Sequence, residues 1–457
     1  MGDTSVLQGA DLGYSEQLAI FSKPIQNVGV NDITFVPYYP VNEFTSQGVI
    51  EWHVPGTGRQ YLDLSKTRLA VKCQVVKKNK ASSTTAKDNT ETSTSADGTD
   101  LAKVGPINNF LHSLWSRVDI SLQDKLLTPA DTNYSYMAYF KNLLDTSRAV
   151  KNGQLQSQLW YKDTAKYVSA KDPKLGGNAG LKSRSAYIQG SNIFDMEGVF
   201  LCDICQLDRF IPNGIDLKCK VYPTSPAWRL MSADSDPDYE VKVLNAILHV
   251  AKVDVSSEVM LAHAEVLQHQ MAFFPYTKTE IKKFGLPKGY HSCTLNDPWQ
   301  GSVPTEIIMG LVSESAEAGS YEYSPYDFEN ANLNYLQVTI DGKETPQGAI
   351  QPAYPTDQDA TKGQYLDAYM SLFRGQQDID LGISREDYPF GYAVYIIRID
   401  SQTTPLQDPD FLPLNRKGNV RITLRFKEKL SKSMLLISAA KFGAGFKVDA
   451  SRTIYPV

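Results

Sequence analysis

No run of about 18 apolar residues occurs anywhere in the 457-residue chain, so the sequence offers no membrane-spanning helix. The first twenty residues, MGDTSVLQGADLGYSEQLAI, lack the basic start and apolar core of a secretory signal. Gly2 is followed by Asp3, and Val6 stands where a myristoylation signal needs Ser or Thr. Cysteine is scarce: Cys73, Cys202, Cys205, Cys219 and Cys293 are odd in number and scattered, which argues for free thiols and against a disulfide framework. With 30 Gly and 24 Pro the chain is near average in both, which excludes collagen-like and low-complexity classes. A net charge of −5 argues against a broad basic face that coats nucleic acid, though not against a local basic patch. Neither a phosphate-binding G-x-x-x-x-G-K-[ST] loop nor a G-x-S-x-G nucleophile elbow is present.

What the chain does have is aromatic residues (25 Tyr, 18 Phe, 5 Trp) and period-two alternation. In VRITLRFK, Val420, Ile422, Leu424 and Phe426 share one face, and Arg421, Thr423, Arg425 and Lys427 the other. IDLKCKVY from Ile215 and VDISLQ from Val118 alternate in the same way. Successive strand side chains point to opposite faces, so each such strand is wet on one side and packed on the other. Helical patterns are short. One is predicted over Tyr134 to Leu144, capped by Asp131 or Thr132, another from Ser256 or Ser257 to Gln268, and a third near Leu366 to Phe373. The regular strand–helix alternation of a parallel sheet is missing.

Two stretches read as loops. Ala81 to Asp100 holds ten Ser or Thr and no apolar side chain larger than Ala, which predicts a mobile insertion. Ser147 to Gly190 carries six Lys and two Arg against two Asp and reads as a long basic surface loop, able in principle to meet phosphate.

Segments of the second half echo the first in the same order. Ile50 to Gly56 resembles Ile281 to Gly289; Val118 to Pro129 resembles Leu336 to Pro346; Gly198 to Ile204 resembles Gly391 to Ile399. Phe210 to Tyr222 resembles Phe411 to Phe426, and Ile247 to Val253 resembles Leu436 to Phe442. The short helices share Ala138-Tyr139 and Ala368-Tyr369. Five weak matches in one order indicate tandem duplication of an all-β domain of about 200 residues, joined by the helix after Ser256.

Candidate chemistry falls away residue by residue. Cys202-x-x-Cys205 is half a zinc site without a second half, and on a strand its sulfurs would face opposite ways. His263-Ala264-Glu265 matches the start of a zinc deaminase signature, but the only C-x-x-C precedes it. His263 and His269 are six apart, not the four that share a helical face. Gly56-Thr57-Gly58 lacks the third glycine of a dinucleotide loop. Asp234, Asp236 and Asp238 open like a calcium loop, but Tyr239 stands where Gly is needed and Asn245 where a closing Glu is needed. The six histidines do not recur at corresponding places in the halves, as a metal-binding double barrel would require. The expectation is no catalytic, metal or cofactor site; the rival readings are a carbohydrate-binding module and, less favoured, an enzyme of the bicupin type.

Several runs resemble the major capsid proteins of Polinton (Maverick) and adintovirus-like elements. They are QLDRFIPNGIDLK (Gln206 to Lys218), VMLAHAEVLQ (Val259 to Gln268), the strand from Lys278 ending in LPKG, and GNVRITLRF with LLISAAKF. The similarity spans roughly Asp32 to Lys441, and its most specific residues are Arg209, Phe210, Ile211, Pro212, Asn213 and Gly214 with Leu261, Ala262, His263 and Ala264. The resemblance implies an all-β tandem (double) jelly roll of two eight-stranded antiparallel sandwiches, a homotrimeric pseudo-hexagonal capsomer, and an icosahedral shell around double-stranded DNA. It also implies a single-jelly-roll vertex (penton) protein as partner and a virion assembled inside the host cell; the charge of the loop from Ser147 to Gly190 adds the expectation of weak non-specific contact with the packaged DNA. The organisation expected is an arm over 1–30, a first jelly roll over 31–256 with insertions at 79–104 and 147–190, a linking helix over 257–269, and a second jelly roll over 270–457.

Overall fold

The computed structural model describes residues 28–42, 48–56, 58–78, 101–345, 348–355, 359–373, 379–399 and 416–457. The stretch Ala81 to Asp100 and most of the expected N-terminal arm lie outside the described residues. Sixteen strands build four antiparallel sheets. The first half supplies β1 (Val30–Tyr38), β2 (Ile50–Val54), β3 (Tyr61–Lys77), β4 (Trp115–Leu122), β5 (Lys125–Leu126), β6 (Ile193–Val199), β7 (Leu217–Pro223) and β8 (Tyr239–Val255). The second supplies β9 (Ala272–Leu286), β10 (Ser292–Asn296), β11 (Glu306–Ser313), β12 (Leu333–Ile340), β13 (Lys343–Glu344), β14 (Val394–Arg398), β15 (Val420–Phe426) and β16 (Met434–Val448).

Strand order is β1-β8-β3-β6 and β2-β7-β4-β5 in the first half, and β9-β16-β11-β14 and β10-β15-β12-β13 in the second. Adding eight to each strand of the first half yields the second, so both halves are eight-stranded jelly rolls of one topology. A final strand, Ile454–Pro456, extends the second half by pairing with β16. Among the described residues no helix is long and apolar enough to cross a membrane.

The alternation behaves as read. Cys219 on β7 pairs with Trp52 and Ile120; Leu424 on β15, its topological counterpart, pairs with Cys293 and Leu336. Both are buried, while Lys218 is half-buried and Arg425 exposed. A one-residue slip in either strand would send its charges into the sandwich, which pins the register. The match of Phe210 to Tyr222 with Phe411 to Phe426 therefore joins equivalent strands, as do those of Val118 with Leu336 and Ile247 with Leu436. The match of Ile50 to Gly56 with Ile281 to Gly289 is overturned. Ile50 opens β2, whose counterpart is β10, whereas Ile281 lies in β9, the counterpart of β1.

The three expected helices are present, with one change of cap. Helix α1 (Tyr134–Leu144) has Asn133, not Asp131 or Thr132, as its N-cap. The carboxylate of Asp131 accepts from the Asn133 backbone N–H at 3.3 Å, one step before the helix. The basic stretch 147–190 is not a plain surface loop. It folds into α2 (Arg148–Asn152) and α3 (Ala179–Ile188), the latter capped by the Asn178 side chain accepting from Leu181. Helix α4 (Ser257–His269) follows β8, with the Ser256 hydroxyl accepting from Val259 N at its start. Helix α5 (Leu366–Ser371) falls between β13 and β14 in chain order, as α1 falls between β5 and β6. One continuous buried apolar cluster runs through both halves.

Candidate functional site

Side chains of both halves meet along a seam of hydrogen bonds, ion pairs and stacked rings. Strand β9 is an edge strand, paired on one side to β16 alone. Three first-half side chains meet its other side. Arg209 Nη1 donates to Phe273 O at 2.7 Å, Asn133 Nδ2 donates to Ile281 O at 3.0 Å, and the Asp203 carboxylate accepts from Thr279 N at 2.6 Å. Asp203 is itself buried and held by Lys141 Nζ of α1 at 2.7 Å. An open sheet edge is an aggregation template, and here the same chain closes it.

The basic insertion closes the seam from a second side. Lys162 pairs with Asp387 at 2.5 Å and Lys171 with Glu322 at 2.6 Å. The Arg148 backbone N–H donates to Asp380 O, and the buried Lys151 ammonium donates to the carbonyls of Leu143 and Leu381. Burial lowers the Lys151 ammonium to about 7, because two carbonyl dipoles replace only part of its hydration. Arg184 of α3 is 1% exposed and paired with Asp163 at 2.6 Å; Asp163 in turn offers its backbone carbonyl to the Tyr392 hydroxyl at 2.6 Å. Lys151, Lys162 and Lys171 thus find acceptors more than 150 residues away, although only Lys151 of the three is buried; Lys174 and Lys182 are exposed.

Between these polar margins lies an aromatic core. Tyr139 stacks on Tyr326 at 4.0 Å between ring centroids, and Trp228, Tyr136 and Phe328 pack at 5.7–6.0 Å around the pair. The Tyr136 hydroxyl donates to Glu317, which also pairs with Lys283 of β9. Burial pushes the Tyr136 and Tyr139 phenols well up, so all remain protonated donors.

The residues singled out in sequence divide into two groups. Ile211 exchanges backbone hydrogen bonds with Leu62 at 2.8 and 2.9 Å, which fixes the loop through Pro212. Gly214 has φ +80°, donates its N–H to Gly56 O, and accepts from Gln123 Nε2. Asn213 accepts from Arg452 of the second half at 3.1 Å. Phe210 packs on the small cluster of Tyr61, Val253 and Val255, where Val259 and Met260 of α4 also rest. His263 Nδ1 lies 3.1 Å from the Tyr61 hydroxyl. Tyr61 is thus where the two runs meet. Leu261, Ala262 and Ala264 do not join them; Leu261 is 72% exposed.

Cys202 and Cys205 are not on a strand facing opposite ways, as their spacing suggested. Cys202 precedes and Cys205 lies within a 3₁₀ turn, Asp203–Gln206, closed by Cys205 N donating to Cys202 O at 3.0 Å. Both are buried, and burial pushes the Cys202 thiol well up, with the neighbouring Cys205 and Cys219 adding to the rise. Among the described residues no group of three His, Cys, Asp or Glu is placed to hold a metal ion. The seam residues Lys151, Tyr326 and Asp327 carried no local signal, because their partners come from the other half.

No protein-family model matches the chain. An uncharacterized protein of Caenorhabditis elegans is 22% identical over 423 residues, covering 90% of this chain and 94% of its own length. Among solved structures, a chain of the Sputnik virophage superposes with a TM-score of 0.61 at 10% identity, covering 100% of this chain and 94% of its own. The mavirus major capsid protein superposes with a TM-score of 0.53 at 11% identity, covering 100% and 97%. Two like-ordered eight-stranded sandwiches, matched end to end by these structures, give the chain the double jelly-roll fold of the virophage major capsid proteins.

Proposed function

We propose that this chain is a major capsid protein: a structural subunit that trimerises into pseudo-hexagonal capsomers, which tile an icosahedral shell around double-stranded DNA. The observation that carries the reading is the end-to-end match to the mavirus major capsid protein, 100% of this chain against 97% of that one. A jelly-roll module grafted onto another activity would match over one half only. The rigid seam supports the same reading, since a shell subunit must present fixed surfaces to its neighbours. Its work is burial of surface between like copies, with energy concentrated in aromatic anchors and no reaction centre. The reading extends to a virion location after assembly inside the cell, to a single-jelly-roll vertex protein, and to weak contact with packaged DNA. That last contact would fall to exposed cations such as Lys174 and Lys182, because Lys151 and Arg184 are buried and Lys162 and Lys171 are paired with Asp387 and Glu322.

Light scattering of the purified protein, followed by electron microscopy across salt conditions, tests the reading. The expected result is a mass three times that of the 50.8 kDa chain, with larger closed particles under some condition. A stable monomer at micromolar concentration with no particles would sink it.

A further inference from the structure

Tyr139 of the aromatic core also lines a cleft of about 450 Å³ between the halves, which is the size of a small-molecule site. Three cations line it, Arg148, Lys151 and Lys162, against two carboxylates, Asp380 and Asp387, so one positive charge is left over. Asp387 pairs with Lys162. Lys151 is 5% exposed, yet among the described residues it makes no ion pair. Its Nζ donates to the carbonyls of Leu143 at 2.5 Å and Leu381 at 2.8 Å, and an ammonium has a third hydrogen to give. A buried charge held by dipoles alone is costly, which is why burial lowers this ammonium to about 7; Asp380 favours the charge from a distance without pairing with it.

Two further donors at the cleft are unmet. Arg148 donates its backbone N–H to Asp380 O, but among the described residues its guanidinium makes no hydrogen bond or ion pair. The buried Trp160 Nε1–H has no acceptor either. All three unmet groups are donors and two are cationic, so what the cleft lacks is an acceptor that carries negative charge. Water supplies acceptors but no counter-charge. The rest of the wall is aromatic: Trp160, Tyr369 of α5 and Tyr392 join Tyr139 there. The Tyr369 and Tyr392 hydroxyls are engaged by Ile383 O and Asp163 O, which leaves their rings as apolar surface.

We propose that this cleft binds a small aromatic carboxylate, whose carboxylate accepts from Arg148 and Lys151 and whose ring lies against Trp160 and Tyr369. A carboxylate brings one negative charge, which matches the one left over, whereas a phosphate monoester would bring about two. Arg148 and Lys151 come from the first half and Tyr369 from the second, so the bound acid ties the halves together and stabilises the folded chain by mass action. The inference goes beyond the assembly reading and stands or falls independently of it.

Titration calorimetry and thermal melting of the purified full chain test it, with naphthoate, its uncharged isostere naphthamide, and inorganic phosphate as probes. Naphthoate should bind once per chain and raise the melting temperature as its concentration rises. Naphthamide and phosphate should each bind at least about tenfold more weakly, since one lacks the charge and the other the ring. Arg148→Gln, at an exposed position, should fold like the wild type, weaken naphthoate about tenfold and leave naphthamide unchanged. Lys151→Met should also weaken naphthoate and not naphthamide. Equal binding of acid and amide overturns the role of charge, and phosphate as tight as naphthoate overturns the role of the ring. Naphthoate binding that neither substitution alters lies elsewhere and overturns the site. No binding of naphthoate at millimolar concentration overturns the proposal outright.

Discussion

The carboxylate of Asp203 accepts a hydrogen bond from the backbone N–H of Thr279 at 2.6 Å, tying the turn after β6 to the open edge of β9. The same carboxylate holds Lys141 Nζ at 2.7 Å and the Thr279 hydroxyl at 3.1 Å, so one buried group satisfies two elements from different halves. Asp203→Ala leaves the Lys141 ammonium buried without its counter-charge and the Thr279 N–H without an acceptor. Removing one partner of a buried pair costs roughly 3–5 kcal/mol. Asp203→Asn keeps an acceptor and should lose less. Guanidinium unfolding of the two variants checks the order, and equal losses would show that the charge contributes nothing.

Gly214 is held at φ +80° between two hydrogen bonds, its N–H to Gly56 O and its carbonyl from Gln123. A β-branched side chain is strained in that backbone region, so Gly214→Val should cost on the order of 1–3 kcal/mol. Gly214→Asn should cost less, because Asn tolerates left-handed backbone better. Chemical denaturation of both variants gives the comparison, and a Val variant as stable as the Asn variant would remove the backbone account.

Asp327 gives a pH dependence with a definite sign. Burial pushes its carboxyl up to about 6, with the nearby Glu329 charge adding to the rise, while Ser169 donates to it at 2.6 Å. The unfolded value is about 3.9, so between roughly pH 4 and 6 the folded chain binds more protons than the unfolded one. Its contribution to stability therefore falls as pH rises through that window. Asp327→Asn should gain about 1–2 kcal/mol at pH 7.5 and little at pH 4. Burial of His112 lowers its imidazole to about 4, which acts in the opposite sense, so the wild-type-minus-variant difference is the quantity to measure. A difference that does not change between pH 4 and 7.5 would refute the assignment.

Alternation carried the strand faces: Cys219 and Leu424 alternate with charge on β7 and β15, and a sandwich interior admits only one of the two faces. The equivalence of β4 with β12, β7 with β15 and β8 with β16 was legible through the duplication, and that of β2 with β10 was not. The pairing of Ile50 with Ile281 failed because the five residues of β2 resemble a stretch of the fifteen-residue β9 whichever sheet each joins, and only hydrogen-bond partners separate them. The insertion at 147–190 was misread for a different reason. Charge reads as solvation when the partner is unseen, and the acceptors of Lys162 and Lys171 are Asp387 and Glu322, distant in sequence. The thiols of Cys202 and Cys205 were misplaced because a 3₁₀ turn puts residues three apart on one side, where a strand puts them on two.

The seam makes the two jelly rolls one cooperative body. Inter-domain contacts are usually polar and modest, and domains joined by them melt separately. Here Tyr326 of the second half is fully buried against first-half Tyr139, and its hydroxyl reaches Ser113 Oγ at 2.8 Å. Trp228 and Tyr136 meet the same ring nearly edge-on, at interplanar angles of 86° and 88°. Truncating a buried aromatic costs about 3–5 kcal/mol, and here the whole loss falls on the contact between halves. Calorimetry of the wild type should therefore show one transition for both jelly rolls. Tyr326→Ala should lower it and split it, whereas Tyr326→Phe, which keeps the stack and loses one hydrogen bond, should lower it by about 1 kcal/mol and leave it single. Two resolved transitions in the wild type would mean that each jelly roll is stable by itself and that the aromatic core only aligns them.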